Sequence, residues 1–257
     1  MWNDLDTGAY EGMIAETITL PRTGNGDRTT RAYFSRPLGT QPYPGVVLIS
    51  HLPGWDELNR EVARRLTQHG FAVVCPDIYQ QVGQGQPAQV AAAAREAGGV
   101  PDDSVMADCA ASLEYLINQP AGNGRVGVMG MCSGGRHAFL AACTVPGFAA
   151  AVDCWGGGVI AAPGELTPAR PVAPIDFASQ LACPLLGIFG NDDKYPTPDV
   201  VDQQAAVLTK YGKSFEFHRY DGAGHAMWNY AGESYRPTAA MDSWNKVLAF
   251  LAEHLRT

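Results

Sequence analysis

The 257-residue sequence predicts an α/β fold in which a mostly parallel central sheet carries helices on both faces. Three observations predict it. Strand-like and helix-like segments alternate along most of the chain. The middle strands are near-continuous apolar runs, the pattern of strands buried on both faces. Residues 126–135, VGVMGMCSGG, pass from an apolar strand into a helix across a turn dense in glycine.

The elements follow in order. MIAETITL (13–20) and TTRAYFS (29–35) nearly alternate in polarity and read as two early antiparallel strands. GVVLISH (45–51) is a buried strand. A helix follows over 57–69, with Leu58, Val62, Ala63 and Leu66 on one face. FAVVC (71–75) is a second buried strand, stopped by Pro76. A short helix is expected near 87–97. A longer one covers 103–119, where Met106, Cys109, Ala110, Leu113, Leu116 and Ile117 recur at helical spacing. RVGVMG (125–130) is a strand and GGRHAFLAAC (134–143) the helix after it. AAAVDCW (149–155), PLLGIFG (184–190) and SFEFHRY (214–220) are strands, and helices at 199–211 and 238–255 follow the last two. Long connections at 80–102 and 156–183 break this rhythm. In such sheets ligands bind beyond the carboxyl ends of the strands, and long loops there often carry function. With no repeat and no linker, residues 1–257 are expected to form a single domain.

Composition narrows the function. Hydrophobic residues make up 46% and charged residues 17%, the balance of a folded protein. The net charge of -8 and the lack of a basic stripe argue against nucleic acid. The N-terminal MWNDLDTGAYEGM has no basic n-region followed by an apolar core, so no secretory signal is expected. No apolar run approaches the roughly 20 residues that span a bilayer. The six cysteines, Cys75, Cys109, Cys132, Cys143, Cys154 and Cys183, are scattered without a C-x-x-C pair. That pattern reads as reduced thiols in a cytoplasmic protein. No His/Cys/Asp/Glu cluster has metal-ligand spacing and no Gly-rich phosphate loop exists, so neither metal nor cofactor is expected. A monomer or small homo-oligomer acting on a small molecule is the expected state.

The turn at 130–134 carries the chemistry. Strand, Gly-x-nucleophile-x-Gly, helix is the nucleophile elbow of the α/β-hydrolase fold. Counting from Gly130 and Gly134 puts Cys132 at its centre, while Ser133 contributes its backbone N–H. A helix N-terminus favours a thiolate. In this fold an acid and then a histidine follow the nucleophile in chain order. Asn191-Asp192-Asp193 follows the 184–190 strand, and His225 follows the 214–220 strand. Spacing alone does not choose between Asp192 and Asp193. A second oxyanion donor is expected just after the 45–51 strand, at the N–H of Leu52.

These residues resemble the dienelactone hydrolase family, from about residue 12 to 255. The resemblance rests on CPDIY (75–79), the G-x-C-x-G-G at 130–135, the G-x-x-D at 190–193 and the AGH at 223–225. It implies a cofactor-free hydrolase of esters or lactones with a Cys-Asp-His triad at Cys132, Asp193 and His225, and so selects Asp193. It also implies a thioester acyl-enzyme. Two positions depart from the pattern. His51 stands where members often carry a glutamate beside the thiol. Asn229 stands where the type enzymes carry a substrate-binding arginine, and Arg95 is only a loose match for a second one. Asn229 and the acidic charge lead us to expect that neutral esters or lactones are turned over at least as well as dienelactones. His51, Arg95, Trp155, Trp228 and Asn229 are candidate pocket or modulating residues. Acyl transfer on the same triad, or small-ligand binding without catalysis, are the competing readings.

Overall fold

In the computed structural model, described over residues 12–22, 28–39, 42–83 and 85–256, eight strands form one sheet in the order β1-β2-β4-β3-β5-β6-β7-β8. The strands are β1 (Met13–Pro21), β2 (Thr29–Pro37), β3 (Tyr43–Ile49), β4 (Ala72–Pro76), β5 (Gly122–Met131), β6 (Ala150–Cys154), β7 (Leu185–Gly190) and β8 (Phe215–Tyr220). The pairs β1–β2 and β2–β4 are antiparallel, and all the others are parallel. The helices are α1 (Glu57–Gln68), α2 (Pro87–Glu96), α3 (Asp102–Ile117), α4 (Ser133–Thr144), α5 (Pro198–Lys210) and α6 (Pro237–Leu255). Element ends differ from the sequence reading by at most a few residues, the usual range for frayed ends. Of the N-terminal residues read for a signal, 1–11 lie outside the described residues. Among the described residues no helix is long and apolar enough to cross a membrane.

Strand geometry explains the double cover. Successive side chains point to opposite faces, so each apolar run feeds two cores. On β3, Val47 and Ile49 join a buried cluster with α3 and α4, while Val46 and Leu48 join one with α1 and α6. On β5, Val126 and Val128 face the first core, Met129 and Met131 the second. This is why the middle strands lack polar alternation.

The fold also aligns the carboxyl ends of the parallel strands. Ile49 of β3 pairs with Gly130 of β5, and Gly130 pairs with Asp153 of β6. The segments leaving these strands emerge on one rim. There the backbones pack without room for side chains. A Cβ on Gly130 would stand 2.0 Å from the Gly134 carbonyl oxygen, and one on Gly134 would stand 2.2 Å from the Ile49 carbonyl oxygen. Neither contact can be relieved by turning a side chain, because the obstructing atoms are backbone. Gly134→Ala is therefore expected to cost at least ~2 kcal/mol, as overpacking into an unyielding site does. Gly164, whose Cβ would meet nothing within 4 Å, supplies the control. Gly164→Ala should stay within about 0.5 kcal/mol of wild type. Urea midpoints test this, and equal midpoints for the two variants would refute the packing account.

Candidate active site

Cys132 sits between β5 and α4 with φ 55° and ψ −123°, a left-handed conformation that a side chain adopts only when its surroundings impose it. They do. Its N–H donates to the Cys154 carbonyl (3.0 Å), and its carbonyl accepts from the N–H of Gly135 (2.9 Å). Cys132 is the N-cap of α4 and is partly exposed, whereas the other five cysteines are buried. Burial pushes the thiols of Cys75, Cys109, Cys143, Cys154 and Cys183 up, which keeps them un-ionised. Ser133 is the first residue of α4, so its N–H has no acceptor within the helix. Leu52 follows β3, whose end lies against the α4 N-terminus.

Asp193 and His225 meet through the same device used at the elbow. A Cβ on Gly190 would stand 2.2 Å from the Ala223 carbonyl oxygen, so the loops after β7 and β8 lie backbone to backbone. The Asp192 N–H donates to that carbonyl (2.9 Å). Asp192 is thereby turned to solvent and Asp193 inward. Asp193 is 5% exposed. Its Oδ2 lies 2.9 Å from His225 Nδ1, and its Oδ1 accepts from the Tyr195 N–H at 2.9 Å. Burial pulls the His225 pKa down, but hydrogen bonds to Asp193 and to Cys132, with their charges, raise it to about 10. His225 is thus bonded to a buried carboxylate and lies within electrostatic reach of the Cys132 thiol.

The other candidates divide. His51 Nε2 lies 2.6 Å from Asp56 Oδ2, so the imidazole is tied to the carboxylate that caps α1. Burial alone would raise the Asp56 pKa. The bond and charge of His51, with hydrogen bonds from Asn59, outweigh burial and hold it below the usual carboxylate range. Arg95 is exposed on α2, though its charge still reaches the Tyr79 hydroxyl. Trp155 and Trp228 are corrected. Trp155 and Trp228 are 2% and 7% exposed and pack edge to face with centroids 5.2 Å apart. Trp228 continues edge to face onto Trp244, and its Nε1 donates to Ser243 Oγ (2.8 Å). These rings form the core behind Cys132 and offer a substrate almost no surface. Asn229 closes a local turn: its Oδ1 accepts from the Ala231 N–H (3.2 Å), and its carbonyl accepts from the Gly232 N–H (2.9 Å).

Several residues at this rim escaped sequence reasoning. Tyr79 follows β4, and its hydroxyl lies 3.3 Å from Ser133 Oγ. Burial pushes its pKa to about 12. Arg136, one turn into α4, is 3% exposed and makes a bidentate pair with Asp102 (2.6 and 3.0 Å). It also donates to the Gly158 and Val172 carbonyls, clamping the 156–183 connection to the elbow helix. His137 Nε2 lies 3.2 Å from Asp102 Oδ1, and burial pushes this imidazole down to about 4. Only CPDIY carried a signal for any of these, and it drew no attention to its tyrosine.

Comparison with known proteins places this geometry. The model of the dienelactone hydrolase family matches residues 30–255. A Bradyrhizobium protein named "Probable 2-oxo-3-(5-oxofuran-2-ylidene)propanoate lactonase" is 29% identical over 251 residues, covering 95% of this chain and 98% of its own. A Methylorubrum extorquens protein named "Putative carboxymethylenebutenolidase" is 29% identical over 241 residues, covering 92% of this chain and 80% of its own. A crystal structure titled "Putative Dienelactone Hydrolase", from Klebsiella pneumoniae, superposes with a TM-score of 0.84 at 27% identity, covering 94% of this chain and 99% of that one. With a mostly parallel eight-stranded sheet flanked by helices, and a family match over nearly its whole length, the chain belongs to the dienelactone hydrolase family and has its α/β-hydrolase fold.

Proposed function

We propose that this chain hydrolyses small carboxylic esters or lactones, acting as a single domain over residues 1–257, with Cys132 as nucleophile, His225 as base and acid, and Asp193 as orienter. One observation carries the reading: His225 is bonded through Nδ1 to buried Asp193, and the Cys132 thiol held at the elbow is near enough to help raise its pKa. Similarity to proteins named as lactonase and butenolidase supports the substrate class. The six unpaired cysteines suit a reducing compartment such as the cytoplasm.

With Nδ1 engaged by Asp193, Nε2 of His225 takes the thiol proton as sulfur bonds to the carbonyl carbon. The oxyanion is held by the N–H groups of Leu52 and Ser133. Collapse breaks the C–O bond, and His225 returns its proton to the departing alkoxide. In a lactone that alkoxide remains attached to the acyl group. Water then attacks the thioester and gives a proton to His225. Breaking the C–S bond frees the acid, and the proton returns to Cys132. Asp193 fixes the tautomer and stabilises the imidazolium.

Cys132→Ala should lower kcat/KM on a p-nitrophenyl ester about a thousandfold or more, with the circular dichroism unchanged. If iodoacetamide labels Cys132 completely and activity persists, the mechanism is wrong. His225 gives an independent test. Its folded pKa is raised from the ordinary 6.5 to about 10, so the folded state favours the imidazolium. The resulting stabilisation is fully present below about pH 6.5 and disappears as the pH rises through about 10. The Tm difference between wild type and His225→Gln should therefore be larger at pH ~6 than at pH ~10. A difference that stays constant, or grows with pH, would contradict the coupling.

A further inference from the structure

A groove of about 580 Å³ lies between α1 and α6, and none of Cys132, Asp193 and His225 lines it. Small-molecule pockets span roughly 300–1,000 Å³, so the space suits a ligand. Its floor and walls include Leu58, Val62, Phe71, Trp228, Trp244 and Leu248. From Ala240 to Arg256, α6 lines it along about 24 Å of helix, at 1.5 Å per residue. Ala249 and Ala252 keep that stripe low toward its C-terminal end. Tyr230 and Met241, at the opposite end, leave 52% and 41% of their surface in water. Exposed apolar surface that is contiguous and rimmed by polar groups marks a binding site.

The groove is polarised along its length. Arg65, His69 and Arg256 stand where α1 and α6 finish. The Arg65 guanidinium lies over the Trp244 ring, 5.2 Å from its centroid, and that of Arg256 lies over Phe71 at 5.3 Å. Arg256 also donates to the His69 carbonyl (2.5 Å). Burial lowers the His69 pKa, and the charges of Arg256 and Arg65 lower it further. Cations are favoured at helix C-termini, and here two of them share one end of an apolar groove. Among the described residues, the one carboxylate lining the groove is Glu61, 3.9 Å from Arg65 and engaged by the Tyr230 hydroxyl. The Trp244 Nε1 is buried and has no hydrogen-bond partner among the described residues.

We propose that this groove is a second binding site, separate from the candidate active site, for a free fatty acid, with the alkyl tail along α6 and the carboxylate between Arg65 and Arg256. The apolar floor selects an alkyl chain, because burying the chain removes it from water. The two guanidiniums select an anion, and their planar forks match a carboxylate with parallel hydrogen bonds. The tail lies toward Trp228, whose ring meets both Trp244 and Trp155 edge to face. Trp228 is three residues past His225, so the occupant rests on the segment that carries the candidate base. The site does not depend on the hydrolase reading.

The test is calorimetric titration of the protein with octanoate, decanoate and dodecanoate, each below its micelle concentration. Single-site binding should tighten about fourfold per added methylene, the gain from burying each one. Decylammonium, which reverses the head charge, should bind at least ~10-fold more weakly than decanoate. Ala249→Phe, at an exposed position of α6, fills the groove and should abolish binding. Arg256→Met should weaken it about 10- to 100-fold, and Arg256→Lys by less. Circular dichroism and Tm near those of wild type verify that each variant folds. Binding that survives both Ala249→Phe and Arg256→Met lies elsewhere and overturns the proposal. An affinity indifferent to chain length or to head charge overturns it too. If sedimentation shows a dimer that Met241→Asp breaks, and no fatty acid binds, the groove belongs to a second copy and the proposal falls. Recruitment to phosphatidylglycerol vesicles without binding of the free acid also overturns it. Fatty-acid binding in a protein that cleaves no ester would sink the hydrolase reading alone and leave this site standing.

Discussion

The contact between the Gly134 backbone and the end of β3, where a Cβ would stand 2.2 Å from the Ile49 carbonyl oxygen, sets the layout of the site. It seats the first turn of α4 directly on the neighbouring strand. Cys132 then turns sharply into its left-handed conformation at the N-cap of α4. Gly190 and the Ala223 carbonyl repeat the arrangement two strands away, and there it turns Asp193 toward His225. Both halves of the site are therefore positioned by backbone against backbone. Such contacts have no rotamers to lose, so the geometry needs little further ordering when substrate arrives.

The legible and the hidden parts of this protein follow from the same distinction. The elements were readable because parallel strands buried on both faces are apolar at every position, as in Val46–Ile49, and amphipathic helices keep their period. The elbow was readable because backbone contact demands glycine at fixed spacing. Asp193 was not separable from Asp192 by spacing, since the choice depends on which residue the Ala223 carbonyl turns outward. The tryptophans misled because a large ring near a strand end is equally compatible with a pocket wall or the core behind it. Trp155 and Trp228 belong to the core.

Arg136 and Arg170 were hidden for another reason. Their meaning depends on which one holds Asp102, and those three residues come from α4, the 156–183 connection and α3. A sequence lists charges without saying which are spent. The structure gives Asp102 to Arg136, so the two arginines have opposite roles. One is a neutralised clamp at the root of the elbow helix, and the other is a cation with no counter-ion among the described residues.

The same accounting bears on the second half of the proposed reaction. Splitting a thioester requires a base that can take a proton from water, and the aspartates at this rim are committed elsewhere. Asp56 holds His51 and caps α1, and Asp102 holds Arg136 and His137. Asp153 is fully buried beneath the elbow, where burial raises its pKa to about 7 and its Oδ1 accepts from the Gly156 N–H at 2.8 Å. Asp193 is engaged by the His225 imidazole and by the Tyr195 N–H. His225, with about a third of its side chain exposed and its Nδ1 already satisfied, has a ring nitrogen left to exchange protons with water. In the proposed reaction one base, His225, serves both acylation and deacylation, oriented each time by the buried carboxylate of Asp193.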